Sequence, residues 1–455
     1  MVCGGLVIFG LFLIIMRVLF FSVRGSEIGE IGARGLSGND GDGATNVTAV
    51  SPKAPAPRPP LVVPGQDTGS SITEANRRPI PQTTTPTPTT PTISKTTPPP
   101  LLCSVGTQTA ISKLFPPDKL CDIVIYTHVR VFQKAVIGSV NGISYHAFRN
   151  ACSTYIGTSC GLSFDARFLE QDMFETVEVR DDLTALKKRR RVYHYGILNI
   201  IDDPTPVENL ATVIAPAILK EMRRLLGSNR ERSKVFVGVG YYFYNDKHAW
   251  TDLEQTAENL ALPEVDIVVI LSTILTTPSP ERCITLPVNA YKSRDLHPPS
   301  LDKAYRMATS QFSRPDLLVA LALQMGVVVY SFEERPNSAK SALYEHCTGF
   351  DISDYSEACQ VPKTDLNIEK TAVGLDTTAQ SKPLMRDRML AFDTLNHLIV
   401  KATIIMQKPD VRTNLSWLLL NVDMTDSTGH CLPAPFDRVK GFRDFYYQRA
   451  RMPKG

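Results

Sequence analysis

The chain has 455 residues, 43% of them hydrophobic, and a formal net charge of +3. This length is sufficient for one large domain or two ordinary ones, and so small a net charge gives no indication of nucleic-acid binding. Residues 1–25 are almost continuously apolar, but Arg17 interrupts the run and no Lys or Arg precedes it. We therefore expect a signal peptide or a signal anchor there, followed by an extracellular chain that is secreted or held at the membrane only by this segment.

Residues 26–100 contain many Pro, Thr, Gly and Ser residues and few aromatic ones. Such a segment cannot bury enough apolar surface to offset its loss of conformational entropy, so we predict a disordered linker. Its last part, TTTPTPTTPTISKTTPPP, is mucin-like in composition and either carries O-glycans or is a plain spacer. Two Asn-X-Ser/Thr triplets predict N-glycosylation at Asn46 and Asn414.

The cysteines fit an oxidising compartment. Cys3 lies in the targeting segment, which leaves eight, and an even number in a secretory context predicts up to four disulfides. No two cysteines have the CxxC spacing, and the eight histidines are scattered along the chain. We therefore expect no metal site and no cofactor.

From Leu101 onward, short apolar runs alternate with segments of helical periodicity. We interpret the runs as strands at residues 101–105, 122–129, 160–164, 195–200, 234–243, 265–274, 317–323 and 417–422, with helical patterns at 207–226, 252–262 and 301–312. Continuous apolar runs are typical of strands buried on both faces, as in a parallel sheet. Residues 101–455 are therefore predicted to form a (β/α)8 barrel with an insertion before the last strand, and a doubly wound open sheet is the alternative.

The strand at residues 195–200 has the most distinctive ending. In the stretch VYHYGILNIIDDP, the apolar strand is followed by Asp202, Asp203 and Pro204. At the C-terminal end of a barrel strand, such acids bind ligands or carry out chemistry. The alternative is that they cap the next helix, whose N-terminal dipole favours acidic side chains. His194, near the start of the strand, is expected to be structural.

Four segments carry a family resemblance when they are taken in order. They are LLCSV with LCDIVIYTHVRV (101–105 and 120–131), ALYEHC (342–347), AFDTLNHLIVKA (391–402) and WLLLNVDMTDSTGHC (417–431). Their order and spacing resemble glycoside hydrolase family 18, the chitinases and chitinase-like lectins, and are also similar to a group of secreted tick proteins of unknown activity. The resemblance implies a Cys103–Cys121 disulfide and pairs Cys347 with Cys431, with Cys359 as a competing partner.

The same resemblance assigns a role to the strand at residues 195–200. The family carries DGxDxDxE there, and in this frame Tyr195 stands at the first Asp, Leu198 and Ile200 at the two inner Asps, and Asp202 at the Glu. In the family the Glu protonates the leaving oxygen, while the neighbouring Asp orients the substrate's acetamido group, which acts as nucleophile. Loss of the orienting carboxylate removes a contribution of the kind worth roughly 10²–10³-fold in rate. We therefore expect a degenerate family member without hydrolytic activity.

The predicted role is binding of a glycan or an extracellular protein partner at the C-terminal face of the barrel, by a monomer. Besides Asp202, the candidate ligand-binding residues are Tyr195, Asp203, Tyr242 and Asn421. The alternative is a glycoside hydrolase that acts on N-acetylglucosamine-containing glycans with Asp202 as its acid. The run KKRRR at 187–191 has three readings: a processing site, a contact for an acidic glycan, or a solvated helix end.

Overall fold

Eight parallel strands close into a barrel in this computed structural model. The structure describes residues 98–106, 115–138, 142–202, 209–241, 249–273, 283–292, 299–333, 343–359, 377–380, 388–408, 414–426 and 429–451, within a unit that spans Pro91–Gly455. The predicted N-terminal segment 1–25, nearly all of the predicted linker and Asn46 lie outside the described residues. In the part of the chain that is described, no helix is both long enough and apolar enough to span a bilayer.

The strands and helices are numbered in chain order. The strands are β1 Leu102–Val105, β2 Ile123–Phe132, β3 Ala135–Ile137, β4 Ser159–Phe164, β5 Val192–Asp202, β6 Val235–Tyr241, β7 Ile267–Ile270, β8 Leu318–Gln324, β9 Val327–Ser331, β10 Gly349–Ser353, β11 Thr377–Gln380, β12 Arg388–Phe392 and β13 Leu415–Leu420. The helices are α1 Ile143–Thr154, α2 Val177–Arg190, α3 Ala215–Leu226, α4 Ala249–Leu260, α5 Leu301–Ser310, α6 Ser356–Cys359, α7 Leu395–Met406 and α8 Asp437–Arg451.

The barrel strands follow one another in the order β1, β2, β4, β5, β6, β7, β8 and β13, all parallel, and β1 pairs with both β2 and β13. This closure confirms the (β/α)8 barrel and excludes the open sheet. Large apolar side chains such as Ile125, Phe236 and Leu418 fill the barrel interior, and a second apolar layer lies between the strands and the helices. The strands are apolar throughout because each faces one of these two layers.

The insertion before the last strand is also confirmed. Between β8 and β13 the chain forms an antiparallel sheet in the order β10, β9, β12, β11. This sheet has its own apolar clusters, which contain Tyr330 and Phe350 on one side and Val329 and Phe392 on the other. Its first strand, β9, begins soon after the end of β8.

Four disulfides are formed, and they correct one expected pairing. Cys103 is bonded to Cys121 as the resemblance implies, and Cys152 is bonded to Cys160. The expected pairing of Cys347 with Cys431 is wrong, because Cys347 is bonded to Cys283 and Cys431 to Cys359. The reason lies in the backbone, since the Cys347 N–H donates to the Cys283 carbonyl at 2.9 Å.

Candidate functional site

A β-bulge in β5 changes which side chains reach the barrel interior. Ile197 pairs with Val237 and Ile200 with Val239, so two residues of β5 lie opposite the single residue Gly238 of β6. Such an extra residue shifts the alternation of the side chains beyond it. Leu198 accordingly lies in the barrel interior, whereas Ile200 packs in the layer between the strands and the helices.

This register corrects the residue-by-residue frame. Leu198 and Ile200 were both expected to face the barrel interior, which requires the side chains of the strand to alternate regularly between them. Because the bulge interrupts this alternation, the expectation for Ile200 is wrong. Gly238 permits the close approach, because a Cβ there would lie 2.8 Å from the carbonyl oxygen of Leu198. Bulges are found more often beside functional sites than elsewhere in sheets. The end of β5 is therefore a candidate functional site.

The extra residue of the bulge, Asn199, reaches the end of the neighbouring strand β4. Its Nδ2 donates to Asp165 Oδ1 at 2.9 Å, and its Oδ1 accepts the Ala166 N–H at 2.9 Å. Asp165 is 3% exposed and also accepts hydrogen bonds from Arg167 Nε at 3.1 Å and Nη2 at 2.7 Å. Sequence reasoning missed this group because Asp165 and Asn199 are 34 residues apart.

The charge state of Asp165 limits the chemistry that it can perform. Burial raises the pKa of its carboxyl, but hydrogen bonds from Arg167 and Asn199 outweigh that effect and hold the pKa below its ordinary value. Asp165 is therefore ionised at neutral pH and accepts hydrogen bonds. It suits the binding of a hydroxyl or amide group better than the donation of a proton.

A second polar group surrounds Gly106 at the ends of β1 and β13. A Cβ on Gly106 would lie within 4 Å of Thr127 Oγ1, Asn421 Oδ1 and Asp423 Oδ2, so three side chains converge on this residue. Asp423 accepts the Gly106 N–H at 3.0 Å, and Asn421 Nδ2 donates to Gln324 Oε1 at 3.2 Å. Asn421 thus lies at the barrel mouth, where it was expected.

Two exposed aromatic rings lie at the rim of the mouth, one on the last residue of β2 and one just beyond the end of β4. Phe132 is 53% exposed and Phe168 is 47% exposed. The guanidinium carbon of Arg130 lies 5.8 Å from the centroid of the Phe132 ring and 5.3 Å from that of Phe168. Arg167 lies 5.7 Å from the Phe168 ring, which therefore adjoins Asp165. The only sequence signal for Phe168 was an aromatic residue soon after the end of a strand.

The other predicted site residues have different outcomes. Tyr195 is 1% exposed and its hydroxyl donates to the Leu183 carbonyl at 2.8 Å, which contradicts its expected ligand-binding role. Burial raises the pKa of this phenol. Asp202 is the last residue of β5 and pairs with Tyr241, but its side chain, like Asp203 and Tyr242, lies outside what the structure describes.

Asn414, the second glycosylation candidate, lies just before β13 at the opposite end of the barrel. Its Nδ2 donates to the carbonyl of Pro315 at 3.2 Å and to that of Leu317. Ser416 of the same triplet is fully buried. A sugar on Nδ2 would replace one of these donors, so the geometry argues against glycosylation at Asn414. Among the described residues, no three metal-ligating side chains come together.

The described residues thus form a (β/α)8 barrel with a polar mouth. No family model matches the sequence, and no curated protein matches it. Solved structures do share the fold. YKL-39 in the presence of chitooligosaccharides (GlcNAc4) is 16% identical, with a TM-score of 0.55 over 76% of this chain and 99% of that one.

Two further structures show the same likeness. Human YKL-39, described as a pseudo-chitinase with retained chitooligosaccharide binding properties, is 14% identical, with a TM-score of 0.54 over 76% of this chain and 99% of that one. The Group IV chitinase of Ostrinia furnacalis in complex with allosamidin is 12% identical, with a TM-score of 0.55 over 77% of this chain and all of that one. The chain therefore has a glycoside hydrolase family 18 chitinase-like fold. Similarity to the tick group stays a prediction.

Proposed function

We propose that this chain is a secreted, non-catalytic glycan-binding protein that takes chitooligosaccharide-type ligands at the C-terminal mouth of its barrel, as a monomer. The observation that carries the proposal is Leu198, which fills the barrel interior at a position where the family frame has a carboxylate. The four disulfides fit the oxidising conditions met by secreted proteins. The fold is shared by active chitinases and by a pseudo-chitinase, so it is compatible with binding or hydrolysis.

The mouth supplies the two kinds of contact that a neutral sugar requires. Phe168 and Phe132 are exposed rings on which the apolar face of a pyranose can stack. Asn421 is partly exposed and supplies an amide group for sugar hydroxyls or an acetamido group, and the buried carboxylates of Asp165 and Asp423 lie beside the mouth. Hydrolysis by the family route additionally needs a protonated acid and a carboxylate beside it. Asp165 is held ionised, and Leu198 supplies no carboxylate.

Calorimetric titration of the full-length chain with chitotetraose tests this proposal, with turnover followed by mass spectrometry in the same samples. We expect saturable binding without cleavage. Phe168→Ala should weaken binding by about 10-fold, or about 1.4 kcal/mol, because it removes the ring on which the pyranose would stack. Ile156→Ala is the matched control, because Ile156 is 79% exposed at the opposite end of the barrel. It should leave the affinity unchanged.

Three results would contradict the proposal or a part of it. Cleavage that is abolished by Asp202→Asn would establish the hydrolase with Asp202 as its acid. If neither binding nor cleavage were detected, chitooligosaccharides would be excluded as ligands. An extracellular protein would then remain as the partner of the mouth. An equal loss of affinity in Phe168→Ala and Ile156→Ala would remove the rim from the binding site.

A further inference from the structure

Positive charge is concentrated at the end of the barrel opposite the mouth, where α2 ends and β5 and β6 begin. Residues 187–191 read KKRRR, and together with residues 220–234 they contain eleven Lys and Arg against two Glu. The whole chain has a net charge of only +3. The excess is therefore local, and the polar groups of the mouth do not account for it.

Direct contacts join the two segments. Lys187 Nζ donates to the Leu226 carbonyl at 2.8 Å, which links the end of α2 to the end of α3. Arg232 lies 4.7 Å from the centroid of the Tyr193 ring and donates to its hydroxyl at 3.0 Å. We define Lys187, Lys188, Arg189, Arg190, Arg191 and Arg232 as the basic face.

The charges of the basic face are not neutralised by neighbouring carboxylates. Within the described residues, the ion pairs at this end join Asp266 to Arg223 and Arg230, Glu221 to Arg224, and Asp316 to Arg314, and none includes a member of the basic face. Burial and the positive charges of Arg232 and Arg223 lower the pKa of Lys187. The cations thus repel one another in the protein alone, and a bound anion would relieve that repulsion.

A solvated helix end does not account for the whole arrangement. The C-terminal dipole of α2 favours basic side chains in its last turn, where Lys187, Lys188, Arg189 and Arg190 lie. It does not act on Arg232, which comes from a separate segment between α3 and β6 and meets the first segment through Tyr193. Two independent segments have brought cations to one surface.

We propose that the basic face binds an anionic polysaccharide, one that carries sulfate or carboxylate groups along its length. Guanidinium groups recognise such anions through paired N–H donors, and Arg189, Arg190, Arg191 and Arg232 supply four of them. Ile156 is exposed at this end of the barrel, but none of the exposed large apolar side chains lies in residues 187–191 or 220–234, so the basic face itself carries no apolar anchor for a lipid surface. The four disulfides fit an oxidising extracellular compartment, where such polysaccharides occur. This proposal is independent of ligand binding at the mouth.

The test uses the full-length chain and heparin as the sulfated probe, with affinity measured over a series of NaCl concentrations. The charge-neutralised variant carries Lys188→Gln, Arg189→Gln and Arg232→Gln. A matched control, Arg306→Gln with Arg388→Gln and Lys440→Gln, removes the same charge from exposed positions elsewhere. We expect the first variant to lose about 10-fold or more in affinity at about 150 mM NaCl and to show a shallower salt dependence, and the control to change by less than about twofold.

Thermal unfolding and chitotetraose titration of both variants check the fold and the mouth, so failure here is distinguishable from failure of the proposed function. Equal heparin affinity in the two variants would overturn the assignment of the face. Equal binding of uncharged dextran and heparin would overturn the anionic chemistry. Tighter binding to phosphatidylserine vesicles or to duplex DNA than to heparin would overturn the choice of a polysaccharide.

Discussion

Acid should destabilise this protein through His194, which lies at the N-terminal end of β5. His194 is 3% exposed, and its Nδ1 accepts the Lys234 N–H at 3.0 Å. The proton of the neutral ring is therefore on Nε2, which donates to Ser159 Oγ at 2.8 Å. Burial, together with a smaller effect of the positive charge of Lys234, lowers the pKa of His194 to about 3. These contacts confirm the structural role expected for this residue.

The size of the effect follows from the difference between the folded and unfolded pKa values. An unfolded His titrates near ~6.5, so above that pH both states hold a neutral ring and the full stability is present. As the pH falls below ~6.5, the unfolded chain binds a proton that the folded protein does not, and stability decreases by roughly 1.4 kcal/mol per unit. Between about pH 7.5 and pH 4.5, His194 therefore accounts for a loss of roughly 2.7 kcal/mol.

Urea unfolding of the wild type and of His194→Gln, measured at several pH values in this range, tests the reasoning. The Gln amide can accept from Lys234 and donate to Ser159 without titrating. We expect the wild type to lose roughly 2.7 kcal/mol more than His194→Gln across the range. His146→Gln, an exposed position on α1, should keep the wild-type slope. Parallel curves for the wild type and His194→Gln would refute the assignment.

Three further substitutions have definite expected outcomes. Lys401→Met removes the ammonium that lies 2.9 Å from the buried Asp393 carboxylate and should cost about 3–5 kcal/mol of unfolding free energy, and Asp393→Asn combined with it should recover part of this. Tyr195→Phe removes the hydrogen bond to Leu183 and should lower the free energy of unfolding in urea by about 1 kcal/mol. If it lowered chitotetraose affinity without changing stability, Tyr195 would again be a ligand-binding residue. Replacing both Cys283 and Cys347 by Ser opens a loop that spans 64 residues and should cost about 4 kcal/mol, and a non-reduced Cys347–Cys431 peptide in mass spectrometry would contradict the pairing.

The barrel was predictable from the sequence because the burial of each strand determines its composition over its whole length. Every barrel strand is buried on both faces, so it appears as a continuous apolar run, and eight such runs alternate with helical patterns. The same uniformity hides the bulge. Residues 196–201 read GILNII, and an apolar run without alternation does not mark where an extra residue is inserted.

The site and the disulfide pairing depend on contacts between distant segments. Asn199 meets Asp165 because the bulge turns it toward the end of β4, and nothing local in either segment predicts that contact. Cys347 pairs with Cys283 because Thr285 and Glu345 hold their two segments together through backbone hydrogen bonds. A family motif carried over residue by residue contains neither kind of information.

The bulge itself makes the sharpest test of the site. If the family frame held without interruption, Ile200→Asp would place a carboxylate at the barrel mouth, in contact with solvent and ligand. In the observed register Ile200 is 3% exposed in the apolar layer beneath the helices, so the same substitution buries an unpaired acid. We expect it to cost about 3–5 kcal/mol and to leave the carboxyl protonated at neutral pH.

Two matched variants distinguish the effect of the strand register from the effect of a smaller side chain at Ile200. Ile200→Val should cost only about 1 kcal/mol, because it removes one buried methyl group without adding charge. Asn199→Asp places a carboxylate beside Asp165 at the mouth, where Arg167 is available to both. It should lower stability less than Ile200→Asp while changing chitotetraose affinity. If Ile200→Asp were as stable as the wild type and altered ligand binding, the bulge would not be where the structure has it, and the two inner positions of the motif would again be Leu198 and Ile200.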